Sequence, residues 1–327
     1  MNYKRISFKE REEISIHLAK QYSYHQIARI LRRSPSSICR EIRKRNFTSS
    51  DYKAIDAQIN STQIARMPRK QRKLDINLKL QKAVMYHLEL RWSPEQIARR
   101  LKILYPNDSN MRISHETIYS YIYIYPRKHL KRQLLFYLRR KHKYRKTKNK
   151  VRKKTCPIQN FVSIDERPPE VNSRKVPGHW EGDLIMGPSN RSAIGTLVER
   201  TSRMTFIVKL KSKDATTVRR AFARKLNNLP EDLKKSLTYD QGQEMAEHAL
   251  FTKKTKIDVY FAHPHSPWER GTSENTNSLI RDFFPKGTDF SKISSANLLH
   301  VQNLLNERPR KVLGFYTPKE VFGQTLH

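Results

Sequence analysis

The apolar residues of the first 45 positions recur at helical intervals and predict three short helices. The first two cover residues 9–20 and 24–31, and each places its apolar side chains on one side. Ser34 and Pro35 form an N-cap and first-turn pair that begins the third helix. Helices joined by such a short turn are typical of a helix-turn-helix domain, whose last helix enters the DNA major groove. An ordinary three-helix bundle is the alternative.

The residues expected to contact bases lie near the start of this third helix and are Ser36, Ser37 and Arg40. The turn before it departs from the usual pattern, because Arg32 and Arg33 stand where a glycine is common. We therefore predict a helix-turn-helix DNA-binding domain over residues 1–50.

The same pattern recurs seventy positions later. The string QIARIL over 26–31 returns as QIARRL over 96–101, now preceded by Ser93 in a capping box. SPSSI over 34–38 is echoed by SHETI over 114–118, which makes His115 and Thr117 the equivalent DNA-contacting positions. After a linker over 51–85, this repeat predicts a second helix-turn-helix-like module over 86–126. A structural repeat without DNA binding is the alternative.

Short apolar runs in the second half of the chain predict an α/β domain over 171–327. Strands are expected over 179–187, 192–200, 204–210, 237–240 and 257–262, and helices over 214–227, 273–283 and 295–306. Three early strands, a helix, another strand and then helices indicate a mixed sheet. The predicted fold class is thus multidomain, with all-α helix-turn-helix modules followed by an α/β domain.

The net charge of the chain indicates the kind of partner that it binds. Lys and Arg number 66 against 30 Asp and Glu, a net charge of +36, of which +27 lies within residues 1–170. An excess of this size normally meets a polyanion. Within a predicted basic linker over 127–170, residues 127–154 hold fifteen Lys or Arg and no acid. Such a segment neutralises phosphates and carries little sequence information. Double-stranded DNA is the expected partner.

Composition also excludes several classes of protein. No apolar run approaches the roughly 20 residues of a membrane span, and the first residues lack the apolar stretch of a signal peptide. We expect a soluble protein of the cytoplasm that does not bind a membrane. Cys39 and Cys156 are the only cysteines and do not have zinc-finger spacing, so any metal requires oxygen or imidazole ligands.

Three acids stand at unusual places in the α/β domain. Asp183 lies within the apolar strand of WEGDLI, Asp240 ends the strand of LTYDQG, and Glu274 begins a helix. An unpaired buried carboxylate costs several kcal/mol, so such acids are normally paired or bound to metal. Acids on neighbouring strands and a following helix can converge on two magnesium ions, the arrangement that catalyses phosphoryl transfer. Buried salt bridges are the alternative.

Further polar residues surround these acids. Glu181 lies two residues before Asp183 and is either an extra metal ligand or a paired acid. Arg270 and Arg281 are candidates to hold a phosphate near the metals. Trp268 is expected either to stack on an unpaired base or to be a core or lid residue.

Histidines and asparagines near the acids have weaker assignments. His179, His263 and His265 could contact DNA or a metal, although polar packing is the commoner role. Asn275 and Asn277 are expected only to shape and cap the helix that carries Glu274.

Several long strings closely resemble transposases of the insertion-sequence-thirty family. They are HWEGD at 179–183, TYDQG at 238–242, SPWERGTSEN at 266–275, FPKGTD at 284–289 and NERPRK at 306–311. The likeness covers nearly the whole chain, including the paired helix-turn-helix arrangement. It implies a ribonuclease-H-like, integrase-type catalytic domain with an Asp-Asp-Glu triad. Matched position by position, the triad is Asp183, Asp240 and Glu274.

This resemblance leads to a functional hypothesis. The helical modules bind terminal inverted repeats of a mobile element, and the triad holds two Mg²⁺ ions, for which Mn²⁺ substitutes. Water then cleaves one strand and the freed 3′-hydroxyl attacks a second DNA phosphate. Joining two ends implies a homodimer or larger assembly on DNA. The alternatives are a catalytically silent DNA-binding regulator derived from a transposase and, with less support from the paired modules, a nonspecific nuclease.

Overall fold

The computed structural model describes residues 5–43, 50–66, 72–124, 161–264 and 266–326. They belong to two compact units, Met1–Ile76 and Asn77–His327. The basic segment over 127–154 lies outside the described residues. Within the described ranges, no helix has both the length and the apolar character needed to cross a membrane.

The helices and strands of the two units have the following bounds. The first unit contains α1 (Phe8–Ala19), α2 (Tyr24–Ile30), α3 (Pro35–Arg43), α4 (Ala54–Arg66) and α5 (Lys73–Ile76). The second unit continues with the helices α6 (Leu78–Glu89), α7 (Pro94–Leu104), α8 (His115–Ile124), α9 (Glu170–Ser173), α10 (Ala215–Leu226), α11 (His248–Thr255), α12 (Gly271–Phe283), α13 (Ser295–Asn306) and α14 (Pro318–Gln324). Its strands are β1 (His179–Met186), β2 (Ala193–Glu199), β3 (Thr205–Lys209), β4 (Ser236–Tyr239) and β5 (Asp258–Phe261).

The first unit contains the three predicted helices and one more. Helices α1 to α3 share a core that includes Ile14, Ile27 and Ile38, each fully buried. The additional helix α4 belongs to the same unit, because its Ala57 lies in this core and its Gln58 accepts a hydrogen bond from the buried Arg11 (2.5 Å). Residues 51–66 are therefore part of the first unit, whereas the sequence predicted a linker over 51–85.

Sequence periodicity missed α4 for a physical reason. Three isoleucines of this helix, Ile55, Ile59 and Ile64, are exposed. The helix contacts its neighbours mainly through a small side chain and polar groups, so it has no regular apolar stripe.

The second module repeats the local chemistry of the first. Ser93 and Gln96 form the predicted capping box, in which the Gln96 amide donates to Ser93 Oγ (3.2 Å). At the start of α8, Ser114 Oγ accepts from the Thr117 amide (3.1 Å), as Ser34 Oγ accepts from the Ser37 amide in α3. The module comprises α6, α7 and α8, so it begins at residue 78 rather than at the predicted residue 86.

This second module packs on the α/β part of its own unit through α7. Arg100 forms an ion pair with Glu320 of α14, and Gln96 Nε2 donates to the Pro309 carbonyl oxygen (2.7 Å). Arg91, at the start of the turn before α7, donates to the Asp282 carbonyl oxygen (2.6 Å). The second module and the α/β domain therefore form a single compact body.

A five-stranded mixed sheet is the centre of the described α/β domain. The strand order is β3-β2-β1-β4-β5; β1 and β3 run antiparallel to β2, and β4 runs parallel to β1 and β5. Trp180 and Leu197 face a core with α10 and α11, while Ile185 and Ile194 face α12 and α13. The predicted α/β domain with helices on a mixed sheet is confirmed.

Candidate active site

Neighbouring parallel strands bring the first two acids together. Strand β1 pairs with β4 in the register Trp180↔Leu237 and Glu181↔Thr238. The same register, continued by two residues, places Asp240 opposite Asp183. Both carboxylates therefore lie just beyond the last paired residues of the parallel strands β1 and β4.

One arginine spans both carboxylates. Arg270, just before α12, lies 3.5 Å from Asp183 Oδ1 through Nη1 and 3.2 Å from Asp240 Oδ2 through Nη2. Its Nη1 also donates to the Gly182 carbonyl oxygen (3.1 Å). Burial alone lowers the pKa of Arg270, but the charges of Asp183 and Asp240 outweigh burial and raise it. Arg270 is thus the counter-ion of this carboxylate pair, and its predicted role as a phosphate ligand remains a prediction.

Asp183 occupies a low-dielectric position on the central strand. Its side chain is 21% exposed, and it accepts hydrogen bonds from the Leu184 amide (2.9 Å) and from Asn277 Nδ2 (2.7 Å). Burial raises the pKa of Asp183 to about 6, with Arg270 opposing the rise and Asp240 adding to it. A divalent cation beside this carboxylate would offset the cost of ionising it, so the donor set suits a metal.

Helix α12 carries the third acid on the side of Asp183. Glu274 lies in the first turn and is exposed, and Asn277 follows it by three residues, which places both on one helical face. Asn277 reaches Asp183 directly and accepts a hydrogen bond from Thr196 Oγ1 (3.0 Å). Asn277 therefore orients Asp183, a role that the sequence did not predict. Its three-residue spacing from Glu274 was the available signal.

The three acids do not form a metal-binding cluster in this structure. Among the described residues, no group of three or more His, Cys, Asp or Glu side chains is arranged to hold a metal ion. Asp183 and Asp240 meet at Arg270 instead. In this arrangement Arg270 is the counter-ion of both aspartates.

Glu181 is fully buried and has two partners. Its Oε2 accepts from the Ser273 amide in the first turn of α12 (2.7 Å), and its Oε1 lies 3.1 Å from Arg200 Nη1, without hydrogen-bond alignment. These contacts match the paired-acid alternative rather than an extra metal ligand. They link the strand of Asp183 to the helix of Glu274.

Gly182 allows the strands around the site to approach closely. A Cβ atom at this position would lie 2.7 Å from Cδ2 of the buried Tyr239 ring. Any larger residue between Glu181 and Asp183 would displace the tyrosine that precedes Asp240.

The described histidines have packing partners. His179 is buried and lies 2.8 Å from Ser236 Oγ through Nδ1, and burial lowers its pKa to about 4. His263 lies between Glu269 (2.8 Å from Nδ1) and Asp165 (3.0 Å from Nε2). His265 lies outside the described residues.

The remaining predicted residues near the acids differ in exposure. Trp268 is 72% exposed in the turn before α12, which excludes the core alternative and leaves its surface free to stack. Asn275 is exposed. Arg281 donates to the Met186 carbonyl oxygen (2.6 Å) and so ties α12 to the end of β1. Its proposed phosphate contact stays a prediction.

The predicted base-contacting residues lie at the starts of α3 and α8. Ser36, Arg40 and His115 are exposed. The hydroxyls of Ser37 and Thr117 each lie 2.8 Å from the serine that caps their helix. Ser36 Oγ also lies 3.1 Å from Ser34 Oγ. The DNA contacts of all five residues remain predictions, and three of the five contact a capping serine.

We expect Asp183→Asn to stabilise the metal-free protein, because asparagine resembles the protonated acid. The shift from 3.8 to about 6 corresponds to roughly 3 kcal/mol in the free energy of unfolding. Aspartate at 183 ionises in the unfolded chain near pH 4 but in the folded chain only near pH 6. Its destabilising effect therefore develops between these values and is complete above pH 6.

Denaturant unfolding in EDTA measures this effect. The free energy of unfolding of the variant should exceed that of the natural protein most at pH 8, and the difference should shrink towards pH 4. Equal stabilities at pH 8 would contradict the burial cost assigned to Asp183.

Comparisons with known proteins agree with this architecture. The family model described as integrase core domain matches residues 173–267, and the one described as helix-turn-helix domain matches residues 2–45. The transposase for insertion sequence element IS1086 of Cupriavidus metallidurans is 43% identical over 99% of this chain and 96% of its own length. The transposase InsI for insertion sequence element IS30A of Escherichia coli is 45% identical over 97% and 82%.

More distant proteins match as well. The transposase for insertion sequence element IS4351 of Bacteroides fragilis is 35% identical over 99% of this chain and 97% of its own. Among solved structures, the catalytic core domain of BIV integrase aligns with 46% of this chain and 96% of its own, at 19% identity and a TM-score of 0.37. That last likeness is too distant to add to the assignment.

Proposed function

The chain belongs to the insertion-sequence-thirty (IS30) family of transposases, which are polynucleotidyl-transferase-type enzymes, and we propose that it binds the terminal inverted repeats of its element and cleaves and joins DNA at Asp183, Asp240 and Glu274. The observation that carries the proposal is the meeting of Asp183, within β1, with Asp240, just after β4, beside the helix of Glu274. A pair of carboxylates held together by an arginine has the oxygen ligands that magnesium prefers.

Each residue of the site has a part in the proposed reaction. Asp183, Asp240 and Glu274 hold two divalent cations, Mg²⁺ or Mn²⁺. When bound, such a pair activates the attacking oxygen and stabilises the leaving oxygen. Asn277 keeps the Asp183 carboxylate oriented. Arg270, released from the two aspartates, is then free to hold a DNA phosphate.

The reaction consists of two displacements at phosphorus. Water attacks the phosphodiester at the end of the repeat, and the bond to the 3′-oxygen breaks to free a 3′-hydroxyl. That hydroxyl attacks a second phosphodiester, so one new bond to phosphorus forms as another breaks. No covalent intermediate on the protein and no ATP are required. Joining two ends needs two such sites, so we propose a homodimer or larger assembly on DNA.

Cleavage and joining of labelled DNA test this function. The substrate is a duplex that carries the repeat found beside the gene, and its matched control has the same composition in scrambled order. We expect cleavage at the repeat end and strand joining in Mg²⁺ or Mn²⁺, neither in EDTA, and little of either on the control. Specific binding without cleavage in either metal would support the alternative of a catalytically silent DNA-binding regulator. Equal cleavage of both duplexes would indicate a nonspecific nuclease.

Replacement of Arg40 tests the DNA-binding part of the proposal. Arg40 is exposed on α3, where a guanidinium can form two hydrogen bonds with a base edge. We expect Arg40→Ala to weaken binding of the repeat by about 1–3 kcal/mol and to reduce its preference over the scrambled duplex. Arg29→Ala removes the same charge from an exposed position of α2 and should weaken binding of both duplexes equally. An unchanged preference in Arg40→Ala would exclude a base contact there.

A further inference from the structure

A cavity lined by arginines lies beside the first turns of α12. It has a volume of about 230 Å³, and its walls include Arg174, Arg203, Arg310, Thr272 and Asn275. All of the described lining residues are neutral or basic, and none is a carboxylate. Three guanidinium groups without an acid in one small cavity are electrostatically unfavourable unless an anion accompanies them.

The nearest buried acids have other partners. Glu181 is bonded to the Ser273 amide and lies beside Arg200, and Glu199 Oε2 accepts hydrogen bonds from the Ser202 amide and hydroxyl (both 2.6 Å). These two carboxylates face Arg200 as well as Arg203, so they cannot fully neutralise the cavity. Positive charge therefore remains at its walls.

Two of these arginines, Arg174 and Arg203, retain donors for a ligand. Arg174 is exposed and forms no hydrogen bond or ion pair with any part of the chain that the structure describes. Arg203 donates through Nη1 to Thr272 Oγ1, but its buried Nε has no partner among the described residues. Burial lowers the pKa of Arg203, and the charge of Arg174 lowers it further, which is the mark of repulsion between the two.

The cavity is next to the proposed catalytic residues. Asn275 lines it and directly follows Glu274, while Thr272 and Gly271 place the start of α12 at its wall. The positive end of a helix dipole adds to the attraction for an anion. The helix that carries Glu274 therefore also forms part of the cavity wall.

We propose that Arg174 and Arg203, with Arg310 beside them, bind a backbone phosphate of the DNA other than the scissile one. Guanidinium groups bind phosphate oxygens in pairs of charge-assisted hydrogen bonds. The inference rests on the proposed DNA substrate but assigns a separate contact, one that anchors the strand rather than reacting with it.

Salt-dependent DNA binding tests this contact without any cleavage. Affinity for the repeat duplex is measured in EDTA from 0.05 to 0.3 M NaCl for the natural protein, Arg174→Gln and Arg174→Gln/Arg203→Gln. Each lost phosphate contact should reduce the slope of log K against log salt by about one and weaken binding about fivefold near 0.15 M. Arg224→Gln, an exposed arginine of α10 on the other face of the sheet, should leave the slope unchanged.

Arg174→Gln alone keeps the test independent of folding, because this side chain has no partner to lose. A scan with duplexes that carry a single neutral methylphosphonate locates the contacted phosphate. At one position the substitution should weaken DNA binding by the natural protein and leave binding by Arg174→Gln unaffected. An unchanged slope in Arg174→Gln overturns the proposal. The thermal stability of both proteins in inorganic phosphate gives a second outcome. If phosphate stabilises the natural protein but not Arg174→Gln, and the DNA slope is unchanged, the cavity binds a free anion and the proposal is overturned.

These outcomes are separable from failure of the proposed function. If the natural protein cleaves the repeat but Arg174→Gln binds with the natural slope, only the phosphate contact is wrong. If the slope changes but no protein cleaves in Mg²⁺ or Mn²⁺, the contact stands and the catalytic proposal fails.

Discussion

Glu274→Gln is expected to abolish strand cleavage while DNA binding is retained. The amide is nearly the same size as the carboxylate, but it lacks the charge that a divalent cation requires. Metal activation contributes several kcal/mol to phosphoryl transfer, so the loss should be about a thousandfold or more. Because Glu274 is exposed in the first turn of α12, its replacement should not disturb packing.

The rate of cleavage of the repeat duplex in Mg²⁺ measures this loss, and the binding affinity in EDTA serves as the internal control. Glu231→Gln is a matched variant, because Glu231 is a 79% exposed glutamate before the start of β4, away from the end where Asp240 lies. It should cleave at the natural rate. Natural cleavage by Glu274→Gln would remove this residue from the catalytic set, and the triad assignment would fail with it.

Glu181→Gln should cost about 3–5 kcal/mol in the free energy of unfolding, because the buried Arg200 loses its ion-pair partner and keeps only the nearby charge of Glu199. Both side chains are nearly inaccessible, with relative exposures of 0% and 3%. The glutamine can still accept the hydrogen bond from the Ser273 amide, so α12 should remain in place. We therefore expect a large loss of stability with a nearly natural rate of cleavage per folded molecule.

Two measurements distinguish this role from that of a metal ligand. Denaturant unfolding should show the loss in Glu181→Gln and its recovery in Glu181→Gln/Arg200→Met, which also removes the unpaired cation. Cleavage at a temperature where the variant is folded should depend on Mg²⁺ as in the natural protein. If cleavage disappeared while stability was retained, Glu181 would be a ligand after all.

The five strands and the three longest helices of the α/β domain were predictable because its core segments are strongly apolar, whereas α11 (His248–Thr255) and α14 (Pro318–Gln324) were not predicted. The strand expected over 179–187 is His179–Met186, and the helix expected over 295–306 is Ser295–Asn306. The strand is a short apolar run with consecutive buried residues, and the helix buries Leu298, Val301 and Leu305 on one side, so both patterns follow from burial. Helix α4 has no such stripe and was missed.

The candidate site was predictable only in part. Asp183 and Asp240 were identified because a charge within or at the end of an apolar strand needs a partner. Two other features depend on approaches between distant segments: Arg270 spans both aspartates, and Asn277 holds Asp183. Sequence spacing does not contain these distances.

By itself, the sequence determined which residue types are available, where the helices and strands with strong apolar patterns form, and that a strongly basic chain carries three acids at structurally costly positions. These properties are local, since they follow from periodicity, capping and the cost of burying charge. The tertiary structure alone decided that Glu181 is a paired acid, that Arg270 neutralises the aspartates, and that Arg174, Arg203 and Arg310 share a cavity. Electrostatic interactions depend on distance and burial, and the fold sets both.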